Sequence, residues 1–193
     1  MAIPALECIL EALLLAADEP LSLEQLERVF PENERPERAV IRAALRDLAC
    51  YYDGRGMVLV EVASGFRLQV PPVFSPWVSR LREERSGRYS RALLETLALI
   101  AYRQPITRAE IEEVRGVSVS SSIMKTLQER GWIKVIGRRE VPGRPALYAT
   151  TRIFLDYFNL KNLGELPPLA EPRDLDKIGT ELEHDGAQPA EPE

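Results

Sequence analysis

Cysteine and histidine are nearly missing from this 193-residue chain, which has two of the first and one of the second. Cys8 and Cys50 are too few for a disulfide framework and have no second Cys or His at ligand spacing, so both read as small buried apolar residues. His184 stands alone in "ELEHDGAQPAEPE", an acidic stretch that cannot bury enough apolar surface to order itself. A histidine-dependent triad or His-ligated metal therefore has nothing to work with. Gly-rich phosphate-cradling loops and metal-ligand clusters are also missing. Glu110, Glu112 and Glu113 could in principle act as acid and base, but at neighbouring helical positions they read as a solvated face. The expectation is a protein that is not an enzyme, with no catalytic, cofactor-binding or metal-binding residues and no small-molecule substrate. No uncharged apolar run reaches eighteen residues, and Glu7 and Glu11 interrupt the apolar N-terminal segment, which predicts a cytoplasmic protein with no membrane contact.

What is present is a marked charge asymmetry. Residues 1–85 carry −4, residues 86–160 carry +5 and residues 161–193 carry −6. An acidic chain with a basic middle can still meet a polyanion through that middle.

The chain also repeats itself. "ILEALLLAADEPLSLEQLERV", from Ile9, aligns with "LLETLALIAYRQPITRAEIEEV", from Leu93, after one inserted residue before the proline. Leu10, Glu11, Leu13, Leu15 and Ala17 meet Leu94, Glu95, Leu97, Leu99 and Ala101; Pro20, Glu27 and Val29 meet Pro105, Glu112 and Val114. In each copy an apolar helix ends at a Pro-Leu-Ser or Pro-Ile-Thr turn. Ser22 and Thr107 are placed to cap a second helix, with Glu24 or Glu110 in its first turn. Leu23, Leu26 and Val29, or Ile111 and Val114, are expected to face inward. A third helix follows, bearing Val40, Ile41, Ala44, Leu45 and Leu48 in the first copy, Ile123 and Leu127 in the second. Strands come next: "MVLVEV" and "FRLQV" around Ser64-Gly65, then segments near 132–136 and 146–150 around a Gly/Pro-rich loop. This order predicts a mainly α fold with small β-hairpins (α+β), built as two tandem winged-helix domains.

The expected division is an N-terminal domain over 1–72, a linker with a short helix from Trp77 to Arg85 over 73–88, a C-terminal domain over 89–162, and a disordered acidic, Pro-containing tail over 163–193. A last helix in "TTRIFLDYFNL" is expected to bury Phe154, Leu155 and Phe158.

A winged helix is first suspected of reading DNA with its third helix. Lys125, Gln128 and Arg130 are candidates in the second copy, but Arg42 and Arg46 in the first are offset by Asp47, and neither helix reads as a dedicated base reader. In the second wing, "GRREVPGRP", Arg138, Arg139 and Arg144 could contact phosphate in a salt-sensitive way. A DNA-binding transcriptional regulator is thus the alternative reading. The first helices point elsewhere. Between Leu93 and Ala101 only Glu95 and Thr96 are polar, more apolar surface than one core-facing stripe requires. Surplus grease beside a charged turn describes a protein interface with an apolar core and polar rim.

"LLETLALIAYRQPITRAEIEEVRGV" at 93–117, "GRREVPGRPALYATT" at 137–151, and "FL" followed by "LGELPPL" at 154–155 and 163–169 resemble the segregation and condensation protein B family, a subunit of bacterial SMC-kleisin condensin. The resemblance implies a homodimer that embraces the central region of the kleisin ScpA and reaches the SMC ATPase and, indirectly or weakly, DNA. Carried onto this chain, dimerisation falls to the first domain, near Leu6, Leu10, Leu13 and Leu14. Kleisin binding falls to the second, at Leu94, Tyr102, Arg103, Gln104, Pro105, Thr107, Arg108, Glu113 and Arg115. One departure stands out: "FNL" at 158–160 replaces the usual aromatic-Gly-Leu, with Asn159 suited to a left-handed turn.

Overall fold

Leu10 and Leu14 recur one helical turn apart, as do Ile41, Leu45 and Leu48, and these two apolar stripes face each other across the first half of the molecule. A computed structural model describes residues 4–82 and 89–168 of the chain. In it α1 (Leu6–Ala16) packs on α3 (Arg38–Tyr51), with α2 (Leu23–Arg28) between them in sequence. Leu10, Leu26 and Ile41 are fully buried at their junction. Ser22 caps α2 by a reciprocal pair of bonds with Gln25, its hydroxyl accepting from the Gln25 N–H while the Gln25 side chain accepts from the Ser22 N–H. This arrangement satisfies two N–H groups that the first turn leaves free.

The hairpin β1 (Val58–Val62) and β2 (Gly65–Gln69) is antiparallel, with Val58 opposite Gln69 and Val62 opposite Gly65. Leu21 adds to its edge: the Leu21 and Phe66 backbones exchange two 2.8 Å hydrogen bonds. The Pro-Leu-Ser turn is therefore a third rung of the wing as well as a helix junction. Gly65 makes this possible, since a Cβ there would lie 2.2 Å from the Leu21 carbonyl oxygen.

After α4 (Ser75–Arg82) the arrangement recurs: α5 (Arg91–Arg103), β3 (Ile106–Thr107), α6 (Arg108–Arg115), α7 (Ser121–Glu129), β4 (Ile133–Arg138), β5 (Ala146–Thr150) and α8 (Arg152–Tyr157). The three strands form one sheet in the order β3-β5-β4, with Ile106 opposite Tyr148 and a bulge between Val135 and Gly137. Leu97, Ile100, Ile111, Leu127 and Trp132 make the second core. Both units are winged helices, and the fold is mainly α with small antiparallel sheets.

The two units meet through backbone and polar groups. The Ala63 N–H donates to the Leu160 carbonyl at 3.0 Å. Asp156 accepts from Ser64, and Arg67 Nη2 donates to both the Asp156 carbonyl and Asn159 Oδ1 at 2.7 Å. Lys161 pairs with Glu61 at 2.8 Å. Asn159 does adopt the left-handed conformation, with φ of 57°, and its amide is spent on this joint.

Several expectations change. Cys8 and Cys50 are exposed. Val29 and Val114 face solvent, at 54% and 43% exposure; Val29 is the C-cap of α2, beyond the helical turn that buries Leu26. Val40 and Phe158 are also largely outside the cores. The connecting helix begins at Ser75, with Pro76 in its first turn, where the missing N–H costs nothing. Leu163–Pro168 belong to the second unit: Leu166 packs on its core and the Pro167 carbonyl accepts from the Tyr102 hydroxyl. Residues 83–88 and 169–193, including the expected tail, lie outside the described residues.

Candidate partner-binding surface

The turn between α5 and α6 is held from several sides. Thr107 is 3% exposed and caps α6: its hydroxyl accepts from the Glu110 N–H, and the Glu110 carboxylate accepts from the Thr107 N–H at 2.8 Å. The Thr107 N–H and then the Thr107 hydroxyl, both donating to Glu110 Oε2 at 2.8 Å, hold the Glu110 carboxyl below its ordinary range, with Arg139 adding to the effect. Arg139 Nη1 lies 2.6 Å from Glu110 Oε1, pinning the wing tip to the helix. Glu112 is likewise lowered, by the Val119 N–H and then by Arg108. The Gln104–Pro105 bond is cis.

The expected kleisin-contact residues separate into two groups. Gln104 accepts from the Thr150 N–H at 2.8 Å and donates to the Ala101 carbonyl. Arg108 spans Glu112, Ser121 and the Val119 carbonyl. Arg115 is largely buried and meets Glu95 at 3.3 Å; Arg91 first, then Arg115, lowers the Glu95 carboxyl. With Thr107, these side chains build the turn; Thr107 and Arg115 have little surface to offer, whereas Arg108 keeps 43% of its side chain exposed. Leu94, Arg103, Pro105 and Glu113 are exposed, and Tyr102 is half-exposed. They lie on two faces. Leu94 and Tyr102 line an apolar groove of about 380 Å³ floored by Leu97, Phe154 and Leu166. Arg103, Pro105 and Glu113 line a smaller cleft of about 290 Å³ with Val114.

On α1, Leu10 and Leu14 are 0% and 4% exposed and belong to the domain's own core, so they cannot meet a partner directly. Leu6 and Leu13 are half-buried against the same core. The outward stripe is Cys8, Ala12 and Leu15, the last 57% exposed. Choosing leucines by type missed it; the spacing of 8, 12 and 15 on one helical face would have found it. The same phase separates the aligned repeats, since Leu10 is buried while its sequence partner Leu94 is 42% exposed.

Of the wing arginines, Arg139 is taken by Glu110 and Arg138 donates to the Arg144 carbonyl at 3.2 Å. Among the described residues no cluster of three His, Cys, Asp or Glu side chains is arranged to hold a metal, and no helix is long and apolar enough to cross a membrane.

A tandem winged-helix protein with apolar grooves beside bonded, charged turns is a protein-interaction module in its chemistry. The family model described as "Segregation and condensation complex subunit ScpB" matches residues 8–169. The chain is 57% identical over 170 residues to "Segregation and condensation protein B homolog" of Coxiella burnetii, covering 88% of this chain and 81% of that one. ScpB from Mycobacterium tuberculosis, a crystal structure, is 35% identical over 82% of this chain and 99% of that chain, with a TM-score of 0.37. A solved dimer of the ScpB N-terminal domain complexed with ScpA peptide is 31% identical over 39% of this chain and 91% of that chain, with a TM-score of 0.35. The chain belongs to the segregation and condensation complex subunit ScpB family.

Proposed function

We propose that the chain is a non-enzymatic adaptor of an SMC-kleisin condensin in chromosome condensation and segregation, acting in the cytoplasm on the nucleoid. It works as a homodimer that clamps the central region of the kleisin ScpA, orders it, and so constrains the SMC ATPase ring. Family membership supports the assembly, and the observation that carries the binding mode is the α5–α6 turn. Gln104, Thr107, Arg108 and Arg115 each hydrogen-bond within the protein, which supports the backbone that presents Leu94, Tyr102, Arg103, Pro105 and Glu113. A preformed apolar groove binds a chain segment without first having to order itself, and the cleft of Arg103 and Glu113 on the other face adds charge for specificity.

In this reading the first winged helix, within 1–72, dimerises through the Cys8–Ala12–Leu15 stripe, and the second, within 89–162, takes the kleisin. Arg138 and Arg144 add only weak, salt-sensitive contact with DNA phosphates. The test is calorimetry with the central kleisin fragment. Leu94→Glu places a charge in the apolar groove and is expected to weaken binding at least tenfold, about 1.4 kcal/mol, with helicity unchanged. Affinity equal to the unsubstituted protein would move the kleisin off this face.

A further inference from the structure

Beside the joint of the two units lies a cleft of about 400 Å³, lined by the first unit except for Lys161 of the second. Its floor is apolar, with Leu45, Leu59 and Phe66, and its rim carries Arg42 and Arg46 from α3 and Lys161 from beyond α8. One carboxylate on the rim serves these three cations. Glu61 holds Lys161 at 2.8 Å and reaches Arg42 only at 3.8 Å, while Arg46 has no ion pair among the described residues. Glu165 lies near Lys161 but lines a different groove. A cationic rim over an apolar floor suits a segment carrying several carboxylates with apolar residues among them.

Residues 169–193 have that chemistry. They carry eight carboxylates and two cations, and Leu175, Ile178 and Leu182 stand among Asp174, Asp176, Glu181 and Glu183. Position fits as well as charge. Lys161 is only seven residues before Pro168, where the described chain stops, so the cleft lies within roughly 25 Å of contour length, and the remaining 25 residues can span about 80 Å. Such a tether sets an effective concentration on the order of millimolar, well above that of a free acidic segment.

We propose that residues 169–193 fold back onto this cleft in the same chain, their carboxylates meeting Arg42, Arg46 and Lys161 and their apolar side chains covering Ala49 and Phe66. The tail then occupies the exposed face of α3 and bridges the two units, and other acidic segments must displace it.

The experiment uses the full chain with Cys8→Ser, Cys50→Ser and Ala187→Cys, a nitroxide on the new thiol, and amide NMR as readout. At low salt the α3 amides from Arg42 to Ala49 are expected to lose intensity roughly twofold or more relative to the reduced label, and to recover it near 0.5 M salt, where the screening length falls to about 4 Å. Arg42→Ala with Arg46→Ala should abolish the effect, and Arg138→Ala with Arg144→Ala should leave it intact. Unaffected α3 amides, broadening centred on the second wing, or an effect indifferent to both salt and the α3 arginines would overturn the proposal. So would broadening that appears undiminished when unlabelled-tail, isotope-enriched protein is mixed with spin-labelled protein, since that places the tail on another copy.

Discussion

The Asp156 carboxylate accepts both the backbone N–H of Ser64, at 2.9 Å, and its hydroxyl, at 2.6 Å. One aspartate at the end of the second winged helix thereby closes the hairpin turn of the first, and Arg67 and Asn159 reinforce it. Hydrogen bonds to a charged, half-buried acceptor are the strong kind. A double-mutant cycle of Asp156→Ala and Ser64→Ala, read by urea unfolding, is expected to give a coupling of about 2 kcal/mol. Additive effects would mean that the Ser64 hydroxyl does not help to hold the joint.

Glu110, Glu112 and Glu95 all sit below the ordinary glutamate value of 4.5 in the folded protein. A depressed carboxyl contributes stability that is complete above its unfolded value and is lost as pH falls through the folded value. Thermal stability should therefore decline from about pH 5 downward, and Glu110→Gln should flatten that decline and lower stability at pH 7. Parallel pH profiles for the two proteins would contradict the capping geometry.

Tyr52, buried at the end of the first core, donates its hydroxyl to Glu11 on α1. This bond, with burial, pushes the phenol up to about 12. Its contribution to stability is whole below the unfolded tyrosine value near 10 and disappears as pH rises through about 12. Tyr157, bonded to Tyr89, is raised as well, so ultraviolet titration should show late-ionising tyrosine that Tyr52→Phe reduces by one group, at a cost of about 1 kcal/mol. A titration unchanged by the substitution would sink the assignment.

Gly65 has φ of 146°, and a Cβ would sit 2.2 Å from the Leu21 oxygen and 2.6 Å from the Ser22 nitrogen. Gly65→Ala should break the Leu21–Phe66 bridge and cost about 3 kcal/mol. Gly54→Ala, also at positive φ but with nothing within 4 Å, should cost only about 1 kcal/mol. Equal losses measured by denaturation would show that the close approach is not what selects glycine at 65.

The repeat, both helix caps and the left-handed Asn159 were legible because each is a local pattern: a hydroxyl just after the turn proline with a carboxylate in the helix's first turn, or a residue type suited to one backbone conformation. The strand at Ile106–Thr107 was not, since two residues have no period to read. Its partner Tyr148 lies some forty residues away in sequence. The same holds for Ser64 with Asp156, whose side chains signal nothing until folding brings them together. On the surface, residue type misled: Leu10 and Leu14 read as an interface and are core, while Cys8 and Cys50 read as core and are exposed. In the α5–α6 turn, sequence located the segment but could not separate Arg108, tied to Val119 and Ser121, from exposed Arg103.

The central claim is that this chain is a dimeric adaptor for a kleisin, and light scattering after size exclusion tests it most directly. The protein alone should show twice its 21.8 kDa chain mass, and mixing with the central kleisin fragment should add one fragment to that dimer. A monomer, or a dimer whose mass the fragment leaves unchanged, would contradict the account.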